Sequence, residues 1–420
     1  AMALRDQVPT LRHMIHVTSP GCTIDQPLPL GVLDLDALMA AQPADHLVSG
    51  RRILSDEVCA YFHTGGTTGS PKLARHTHGS QVFMAWSYVQ MQGLLPGDVA
   101  INGFPLFHVA GVLPGSLAAL SAGVHVVIPT TGLFRNRDVI RNYWKLVEKY
   151  HATVLSGVST VLTALTEVPL AGADISTLRY ARTGAAPLTP ELAARFTKLF
   201  GLHIYETYGM TEMVGTSTVT PPGLKREAGC VGLRQPYSQM RVVALDEQGG
   251  ASDRVQSVGQ SGMVQFKAPN VFAGYLNPED NHHAFSPDGW LNTGDLGYID
   301  DQECLHLSGR AKDLIIRGGH NIDPRVIEDA LDSHPAVQTS AAVGAPDDYA
   351  GELPVAYVTL VPGAKVQESE LLDWVRERVD EPPARPRWVQ ILPAMPLTNV
   401  GKIYKPELRE LAKQTMLQAK

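Results

Sequence analysis

The segment Thr64-Gly-Gly-Thr-Thr-Gly-Ser-Pro-Lys72 has the composition of a phosphate-binding loop. Glycine lets backbone amides approach an anion closely, hydroxyl groups add donors without bulk, and lysine supplies a mobile positive charge. The apolar run at residues 58–62 predicts a strand that leads into this loop. Lys72 does not directly follow Gly69, so the segment is not a Walker A loop. A flexible surface turn is the alternative, but the strand and the lysine favour binding of a triphosphate.

A second segment, Tyr205-Glu-Thr-Tyr-Gly-Met-Thr-Glu212, places a glycine turn, a hydroxyl group and a carboxylate just after a predicted strand. Mg²⁺ prefers hard oxygen ligands and is commonly shared with substrate phosphates, so Glu212 is a candidate metal ligand. The alternative is a strand-to-helix turn in which Thr211 and Glu212 cap the next helix. The local sequence favours neither interpretation.

An acidic residue and a basic residue follow two neighbouring predicted strands later in the chain. Asp295 ends the segment Trp290-Leu-Asn-Thr-Gly-Asp295, and Arg310 follows the next predicted strand. The two oxygens of an aspartate can accept both hydroxyl protons of a ribose. Asp295 could equally initiate a turn.

Three further segments carry weaker signals. Gly184-Ala-Ala-Pro187 offers a small-residue surface for a flat base, although alone it predicts a packing turn. Gly318-Gly-His-Asn321 is a second glycine turn, which by itself indicates an irregular loop. Lys402 follows a glycine in Leu397-Thr-Asn-Val-Gly-Lys-Ile403, and most such lysines are solvated surface charges.

Composition excludes several classes of protein. At 420 residues, with 44% hydrophobic and 18% charged residues, the chain is an ordinary globular protein with two or more expected domains. A net charge of −7 without a basic stripe argues against nucleic acid as a partner. No apolar run predicts a transmembrane segment, and the first residues lack the layout of a signal peptide. Four scattered cysteines predict neither zinc nor disulfides, which favours a reducing, cytoplasmic location.

Hydrophobic patterns predict the fold class α/β. Strand-like runs at residues 124–128 and 153–155 alternate with helical patterns at 138–150 and 189–200, which is typical of βαβ units and a largely parallel sheet. From about Arg241 shorter strands predict a small, more antiparallel β subdomain, at residues 241–245, 263–267 and 303–307.

The carboxyl-terminal part has a different pattern. Helices are predicted at residues 324–331 and 368–379, with strands at 341–344 and 354–360 between them. We therefore predict a large domain at residues 1–311 and a separate, mobile α+β domain at residues 312–420.

The order of these segments, together with Pro105-Leu-Phe-His108, resembles the acyl-activating, AMP-forming adenylate superfamily. That superfamily includes acyl-CoA synthetases, firefly luciferase and the adenylation domains of peptide synthetases. The resemblance extends from about residue 60 to residue 405, and several independent motifs occur in the order of the family. It implies ATP, Mg²⁺ and coenzyme A as the small molecules that the protein uses.

The resemblance also implies roles for individual residues. The β- and γ-phosphates of ATP would be bound by Thr64, Gly65, Gly66, Thr67, Thr68, Gly69 and Lys72. The adenine would lie against Gly184, Ala185, Ala186 and Tyr208, with Gly209 beside them in the ATP site. Thr211 and Glu212 would hold the α-phosphate and Mg²⁺, with Thr67 as a second metal ligand. Asp295 and Arg310 would bind the ribose.

Three more roles concern catalysis and domain movement. Lys402 matches the lysine that contacts the carboxylate and the α-phosphate, where its charge offsets the repulsion between two anions. Lys312 occupies the hinge position between the domains. The loop of Gly318, Gly319, His320 and Asn321 matches the segment that lines the approach of the thiol, with His320 where glutamate is commoner in the family.

The acid is expected to be an apolar monocarboxylate, fatty or aryl. His108 matches the residue that gates the carboxylate pocket of acyl-CoA synthetases. No aspartate occurs between Phe104 and Gly115 to pair with an amino group, and a buried amine without such a partner is unfavourable. The candidate pocket segments at residues 109–112, 156–160 and 210–215 contain no arginine, which disfavours a dicarboxylate.

The predicted activity is therefore that of an ATP-dependent fatty-acid–CoA ligase that works through acyl-AMP. Only 63 residues precede the glycine-rich loop, fewer than in full-length relatives, so an incomplete nucleotide-binding domain with weak turnover is one alternative. Transfer of the acyl group to a carrier-protein thiol is another. The small-molecule acid, ATP and coenzyme A are the expected partners, and a homodimer is left open.

Overall fold

The protein divides into two compact units, Ala1–Leu54 and Ser55–Lys420. A computed structural model describes residues 7–18, 27–64, 72–246, 249–318, 320–398 and 403–418, with Asn321 and Gln418 described by their backbone alone. The boundary predicted at residue 311 lies inside the second unit, so it stays a prediction. None of the described helices is long and apolar enough to cross a bilayer.

The first unit is small and contains two short parallel strands, β1 (Met14–His16) and β2 (Val32–Asp34). Helix α1 (Leu35–Ala40) follows, and the carboxylate of Asp34 caps it by accepting from the N–H of Ala37 at 2.8 Å. None of the described side chains in this unit is buried.

The second unit begins with an antiparallel hairpin, β3 (Val58–Thr64) and β4 (Lys72–Thr77). Thr64 and Lys72 face each other across it, so they hold the two ends of the glycine-rich loop. Helix α2 (His78–Gln92) follows directly, because Thr77 and Ser80 form a reciprocal capping box. The strand predicted at residues 58–62 is confirmed.

A parallel sheet forms the centre of this unit. Its strands lie in the order β6, β5, β7, β8, β9 and are β5 (Val99–Ile101), β6 (His125–Val127), β7 (Val154–Ser156), β8 (Tyr180–Gly184) and β9 (Ile204–Tyr208). The helices between them are α3 (Val109–Val112), a π-helical turn (Leu113–Ala118), α4 (Ala119–Ser121), α5 (Arg137–Arg141), α6 (Tyr143–Tyr150), α7 (Ser159–Thr166) and α8 (Pro190–Phe200).

The parallel strands are buried on both faces, which explains their continuous apolar runs. One face packs against Trp144 and Phe196, whereas the other packs against Met84 and Leu113. The predicted βαβ pattern is confirmed. The helix predicted at residues 138–150 is instead two helices, which Asn142 separates.

Seven antiparallel strands continue the same sheet. They are β10 (Thr218–Val219), β11 (Cys230–Arg234), β12 (Gln239–Leu245), β13 (Ala251–Val255), β14 (Gly262–Lys267), β15 (Leu291–Ile299) and β16 (Leu305–Arg310). Strand β10 pairs with β9 on one side and with β11 on the other. The antiparallel character predicted for this region is confirmed, but its strands join the parallel ones in a single sheet of 12 strands.

The carboxyl-terminal part has the predicted α+β composition. A sheet runs in the order β18, β17, β20, β19, with β21 beside β20. Its strands are β17 (Ile315–Arg317), β18 (His320–Ile322), β19 (Val337–Asp347), β20 (Gly351–Leu360) and β21 (Val389–Ile391). The helices are α9 (Pro324–Asp332), α10 (Glu368–Arg378) and α11 (Lys405–Gln418). Short 3₁₀ turns complete the described structure at Leu133–Arg135, Thr211–Met213, Pro278–Asn281, Ala311–Asp313 and Pro382–Ala384.

Candidate active site

A large cleft opens where strands β7, β8 and β9 end, which is the edge where parallel α/β sheets usually bind ligands. Most of the predicted site residues that the structure describes line it. These are Thr64, Lys72, His108, Gly184, Ala185, Ala186, Tyr208, Gly209, Thr211, Glu212, Asp295, Arg310 and Lys312. Gly65, Gly66, Thr67, Thr68, Gly69, Gly319 and Lys402 lie outside the described residues.

Asp295 is held at both of its carboxylate oxygens. The hydroxyl group of Tyr208 donates to Oδ2 at 2.5 Å, and Nε of Arg310 lies 2.7 Å from Oδ1. Asp295 lies within β15 and is 4% exposed, so it does not initiate a turn. Burial, and then the charge of Asp295, raise the pKa of Tyr208, so its phenol stays protonated and donates.

The ends of β8 and β9 leave no room for larger side chains. A Cβ atom on Gly184 would lie 2.5 Å from the carbonyl oxygen of Thr207, and one on Gly209 would lie 2.1 Å from that of Gly215. Ala185 has a φ of 69°, which is uncommon for a residue with a side chain. Small residues at this edge let the backbone approach a flat ligand closely.

Glu212 lies in the 3₁₀ turn Thr211–Met213 and is 7% exposed. The hydroxyl group of Tyr275 donates to its Oε1 at 2.6 Å. Burial, together with the charge of Glu212, raises the pKa of Tyr275, so that hydroxyl remains a donor. The next element is strand β10, so the capping of a following helix by Thr211 and Glu212 is wrong.

Lys72 points toward the same turn region. Its Nζ lies 3.3 Å from Oδ1 of Asp280 and 5.1 Å from the centre of the Tyr275 ring. The lysine and Glu212 are thus linked through Tyr275 at the end of the glycine-rich loop. Sequence reasoning missed Tyr275 and Asp280, since neither belongs to a motif.

Two buried side chains fix the backbone around Glu212. Nε2 of His76 donates to the carbonyl oxygen of Thr211 at 2.8 Å, and burial lowers the pKa of His76 to about 4. Asn270 donates to the carbonyl oxygens of Met213 and Thr216 at 2.8 and 2.7 Å. A neutral histidine and an amide therefore hold the turn that carries the carboxylate.

The described residues fit a magnesium ion that is shared with a nucleotide. They contain no group of three or more acidic, histidine or cysteine side chains that could hold a metal by themselves. Mg²⁺ usually keeps several waters and binds through one or two carboxylates together with substrate phosphates. A single buried carboxylate at Glu212, which Tyr275 links to Lys72, suits that arrangement.

His108 precedes helix α3, and its Nδ1 accepts from the N–H of Ala110 at 3.2 Å. This bond orients the ring beside an apolar recess of the cleft. Leu94, Val109 and Val154 form part of the recess wall. The three pocket segments contain no arginine, as the sequence shows, but Arg182 of β8 also lines the cleft.

The segments on both sides of Lys402 border the cleft. Thr398 and Ile403 are lining residues, and a β-bridge joins Leu397 to Ile403. By contrast, Gly318 and His320 do not belong to the part of the lining that the structure describes. His320 is exposed and pairs with Arg317 across β17 and β18.

Lys312 lies in the 3₁₀ turn between β16 and β17. Burial, and then the charge of Arg310, lower the pKa of Lys312. Helix α11 contacts the same turn, because Arg409 donates to the carbonyl oxygen of Lys312 at 3.3 Å and to Oδ1 of Asp313 at 2.7 Å.

A strand-end shelf of small residues, a buried acid with an arginine and a loop that ends in lysine define a nucleotide-binding α/β protein. Comparison with known protein families gives the same class. The family model described as "AMP-binding enzyme" matches residues 15–276, and the model described as "AMP-binding enzyme C-terminal domain" matches residues 326–402. The chain belongs to the AMP-binding enzyme family.

Individual relatives are CoA ligases. The chain is 40% identical to the marinolic acid–CoA ligase of Pseudoalteromonas sp. (strain SANK 73390), over 90% of this chain and 58% of that protein. It is 31% identical to the long-chain-fatty-acid–CoA ligase of Bacillus subtilis, over 84% of this chain and 62% of that protein. The chain therefore spans about 60% of the length of these relatives.

A solved structure has the same fold. The crystal structure of ATP-bound MatB from Rhodopseudomonas palustris aligns with a TM-score of 0.81 and 30% identity, over 91% of this chain and 75% of that one. The resemblance to the adenylate-forming superfamily and the α/β fold class are thereby confirmed.

Proposed function

We propose that the protein is an AMP-forming acyl-CoA synthetase. It activates a carboxylic acid with ATP as acyl-AMP, releases pyrophosphate, and then forms the thioester of coenzyme A. The observation that carries this proposal is the single cleft that brings together Asp295, Glu212, His108 and the two flanks of Lys402.

In the first step a carboxylate oxygen attacks the α-phosphorus, and the bond from that phosphorus to the bridging oxygen of pyrophosphate breaks. Asp295 and Arg310 hold the ribose, while the loop between Thr64 and Lys72 binds the leaving pyrophosphate. Lys402 would contact the carboxylate and the α-phosphate in this step. Its positive charge lowers the repulsion between the two anions, which grows as they meet in the transition state.

In this proposal Glu212 would hold Mg²⁺, with Thr67 as a further ligand. The ion supplies charge neutralisation at the phosphates when it is bound. The chain positions the carboxylate that would bind the ion. Tyr275 fixes Oε1 of Glu212, and His76 fixes the carbonyl oxygen of the preceding residue, Thr211.

In the second step the sulfur of coenzyme A attacks the acyl carbon, the bond to AMP breaks, and the thiol proton passes to solvent. We propose that residues 312–420 rotate about Lys312 between the steps and bring the loop from Gly318 to Asn321 to the thiol. Such hinge movements occur between packed domains. Arg325 of α9 donates to the carbonyl oxygen of Leu307 in β16, so this contact has to break during the rotation.

The acid has an apolar chain in this proposal. The aliphatic side chains of Leu94, Val109 and Val154 in the recess wall support the fatty or aryl acid predicted from sequence. A cytoplasmic location and a homodimer stay predictions.

The test measures pyrophosphate release from MgATP with a panel of fatty, aryl and dicarboxylic acids, with and without coenzyme A. Acid-dependent release that continues to a coenzyme A thioester supports the proposal. Release without thioester formation would favour a carrier-protein thiol as acceptor. A folded sample that binds nucleotide but releases no pyrophosphate with any acid would favour the incomplete domain and overturn the proposed activity.

A further inference from the structure

Lys72 and Asp280 form an ion pair at the end of the glycine-rich loop. Nζ of Lys72 lies 3.3 Å from Oδ1 of Asp280, and both side chains are partly exposed and line the cleft. The same Nζ lies 5.1 Å from the centre of the Tyr275 ring. A carboxylate and an aromatic face therefore both attract the ammonium group. Lys72 binds phosphate in the proposed function, whereas Asp280 has no role in it.

Strand pairing sets the position of Lys72. This residue begins β4, and the next residues of the strand pair with the segment that precedes the turn of the acid. The N–H of Leu276 donates to the carbonyl oxygen of Leu73 at 2.8 Å, and a β-bridge joins Ala74 to Tyr275. The backbone of the lysine is thus fixed relative to the chain that leads into the acid.

The 3₁₀ turn Pro278–Asn281, which carries Asp280, is fixed as well. The N–H of Asp280 donates to the carbonyl oxygen of Asn277 at 3.2 Å. Oδ1 of Asn281 accepts from the N–H of Tyr275 at 2.7 Å. Asn281 thereby ties the turn to the tyrosine whose ring lies near the ammonium group. The backbone holds both partners of the ion pair before any ligand binds.

A fixed carboxylate can prepare a lysine for an anion. The lysine side chain has a flexible four-carbon stem and loses much rotamer entropy when it is held in one place. Its ammonium group has three donors, so the contact to Asp280 leaves others for a phosphate oxygen. Protein kinases use such an arrangement, in which an ion pair with glutamate must be in place for the lysine that contacts the nucleotide phosphates.

We infer that Asp280 is a positioning residue, which holds the ammonium group of Lys72 where the β- and γ-phosphates of ATP bind. This inference rests on the proposed function, in which Lys72 binds those phosphates. Removal of the carboxylate should weaken phosphate binding, although it makes the site less negative. An acid that competed with the phosphates for the lysine would have the opposite effect. The direction of the change therefore distinguishes the two roles.

The test measures the binding of MgATP, magnesium pyrophosphate and AMP by calorimetry, without acid and without turnover. Asp280→Asn should weaken the binding of ATP and of pyrophosphate about three- to fivefold, which is the size of effect for a partly exposed ion pair. AMP should bind as it does to the native protein, because it lacks the β- and γ-phosphates. Asp280→Glu, which keeps the charge, should recover part of the loss.

Glu279→Gln is the matched control. Glu279 lies in the same turn, and its exposed carboxylate lies 3.1 Å from Nε2 of His282. Both substitutions remove one negative charge from this turn, so the difference between them isolates the contact to Lys72. Unchanged or tighter ATP binding in Asp280→Asn, relative to Glu279→Gln, would overturn the inference.

A double-mutant cycle tests whether Asp280 acts through Lys72. In the Lys72→Met background, Asp280→Asn should leave ATP binding unchanged or tighten it, because no ammonium group remains to be positioned. If the substitution weakens ATP binding in that background as much as in the native protein, it disturbs the turn itself, and the inference is wrong.

These affinities also separate the inference from the activity on which it rests. If ATP binds but no acid supports pyrophosphate release, the proposed activity fails, and the affinities still decide the role of Asp280. If Lys72→Met binds ATP and pyrophosphate as tightly as the native protein does, Lys72 is not a phosphate ligand. That result would overturn the inference whatever the acids show.

Discussion

Asp295 and Arg310 are directly opposite each other on the antiparallel strands β15 and β16, with Nε and Oδ1 2.7 Å apart. Arg310 follows Asp295 by fifteen positions along the chain, yet the hairpin makes them neighbours. The sheet register thus fixes the acid, and Tyr208 restrains its other oxygen from β9. A carboxylate held in this way is preorganised to accept hydrogen bonds from a ribose.

Asp295→Asn should weaken ATP binding by about ten- to a hundredfold, because hydrogen bonds to a charged group contribute about 1.5–3 kcal/mol. The measurement is the KM for ATP in acid-dependent pyrophosphate release, together with calorimetric ATP binding. Tyr208→Phe, which keeps the carboxylate, is the comparison and should have a smaller effect. An unchanged ATP affinity in Asp295→Asn would remove Asp295 from the nucleotide site.

Glu212→Gln should raise the Mg²⁺ concentration required for half-maximal pyrophosphate release by tenfold or more at fixed ATP. The amide keeps the shape of the side chain but lacks the charge that a hard cation prefers. Tyr275→Phe removes only the donor to Oε1 and should shift the Mg²⁺ dependence less. If Glu212→Gln lowers the rate with no change in Mg²⁺ dependence, its carboxylate is not a metal ligand.

The sequence predicts the residues of the site better than the contacts between them. Motifs at Thr64, Tyr208 and Asp295 have distinctive residue types and spacing, so their convergence follows from the family order. Tyr275 and Asp280 each contribute one side chain, and only tertiary packing brings them to the cleft. No local pattern distinguishes them from an ordinary tyrosine or aspartate.

The helices also differ in how well local sequence signals predict them. Thr189 caps α8 and Pro190 begins it, so the local signals predict this helix closely. Helix α2 has no strong apolar period, because it contacts the core with polar residues such as Ser87 and Gln92 as well as with Met84. Its position is set by the capping box at Thr77, a short signal without a clear helical pattern after it.

Glu206→Gln should change how stability depends on pH. Burial raises the pKa of Glu206 from 4.5 to about 7, so between these values the folded state binds more protons than the unfolded state. The contribution of Glu206 to the free energy of unfolding is complete below about pH 4.5 and is lost as the pH rises through 7. The loss amounts to about 3 kcal/mol above pH 7.

The measurement is urea denaturation of both proteins at pH 5 and pH 8. The variant lacks the titrating group, so its stability relative to the native protein should improve by up to about 3 kcal/mol from pH 5 to pH 8. Glu303→Gln, at an exposed glutamate, should show no such change. A constant difference between the Glu206→Gln and native curves would mean that Glu206 titrates normally.

Lys312→Pro tests the predicted hinge. Proline fixes φ and removes the backbone N–H, so it restricts rotation at the turn between β16 and β17. The thioester step should slow several-fold more than pyrophosphate release, because only the second step follows the rotation. Arg325→Ala, which removes the contact to Leu307, should act in the opposite direction and speed the thioester step relative to adenylation. Equal effects on both steps would place the hinge elsewhere.

Lys402→Ala separates the two half-reactions most directly. The variant should lose acid-dependent pyrophosphate release by about a thousandfold, since the removal of a group that stabilises transition-state charge has effects of this order. It should retain thioester formation from supplied acyl-AMP and coenzyme A, because the lysine has left the reacting atoms by then. Lys413→Ala, at an exposed lysine of α11, is the matched control and should keep both activities. Loss of both half-reactions to the same extent in Lys402→Ala would contradict a role confined to adenylation.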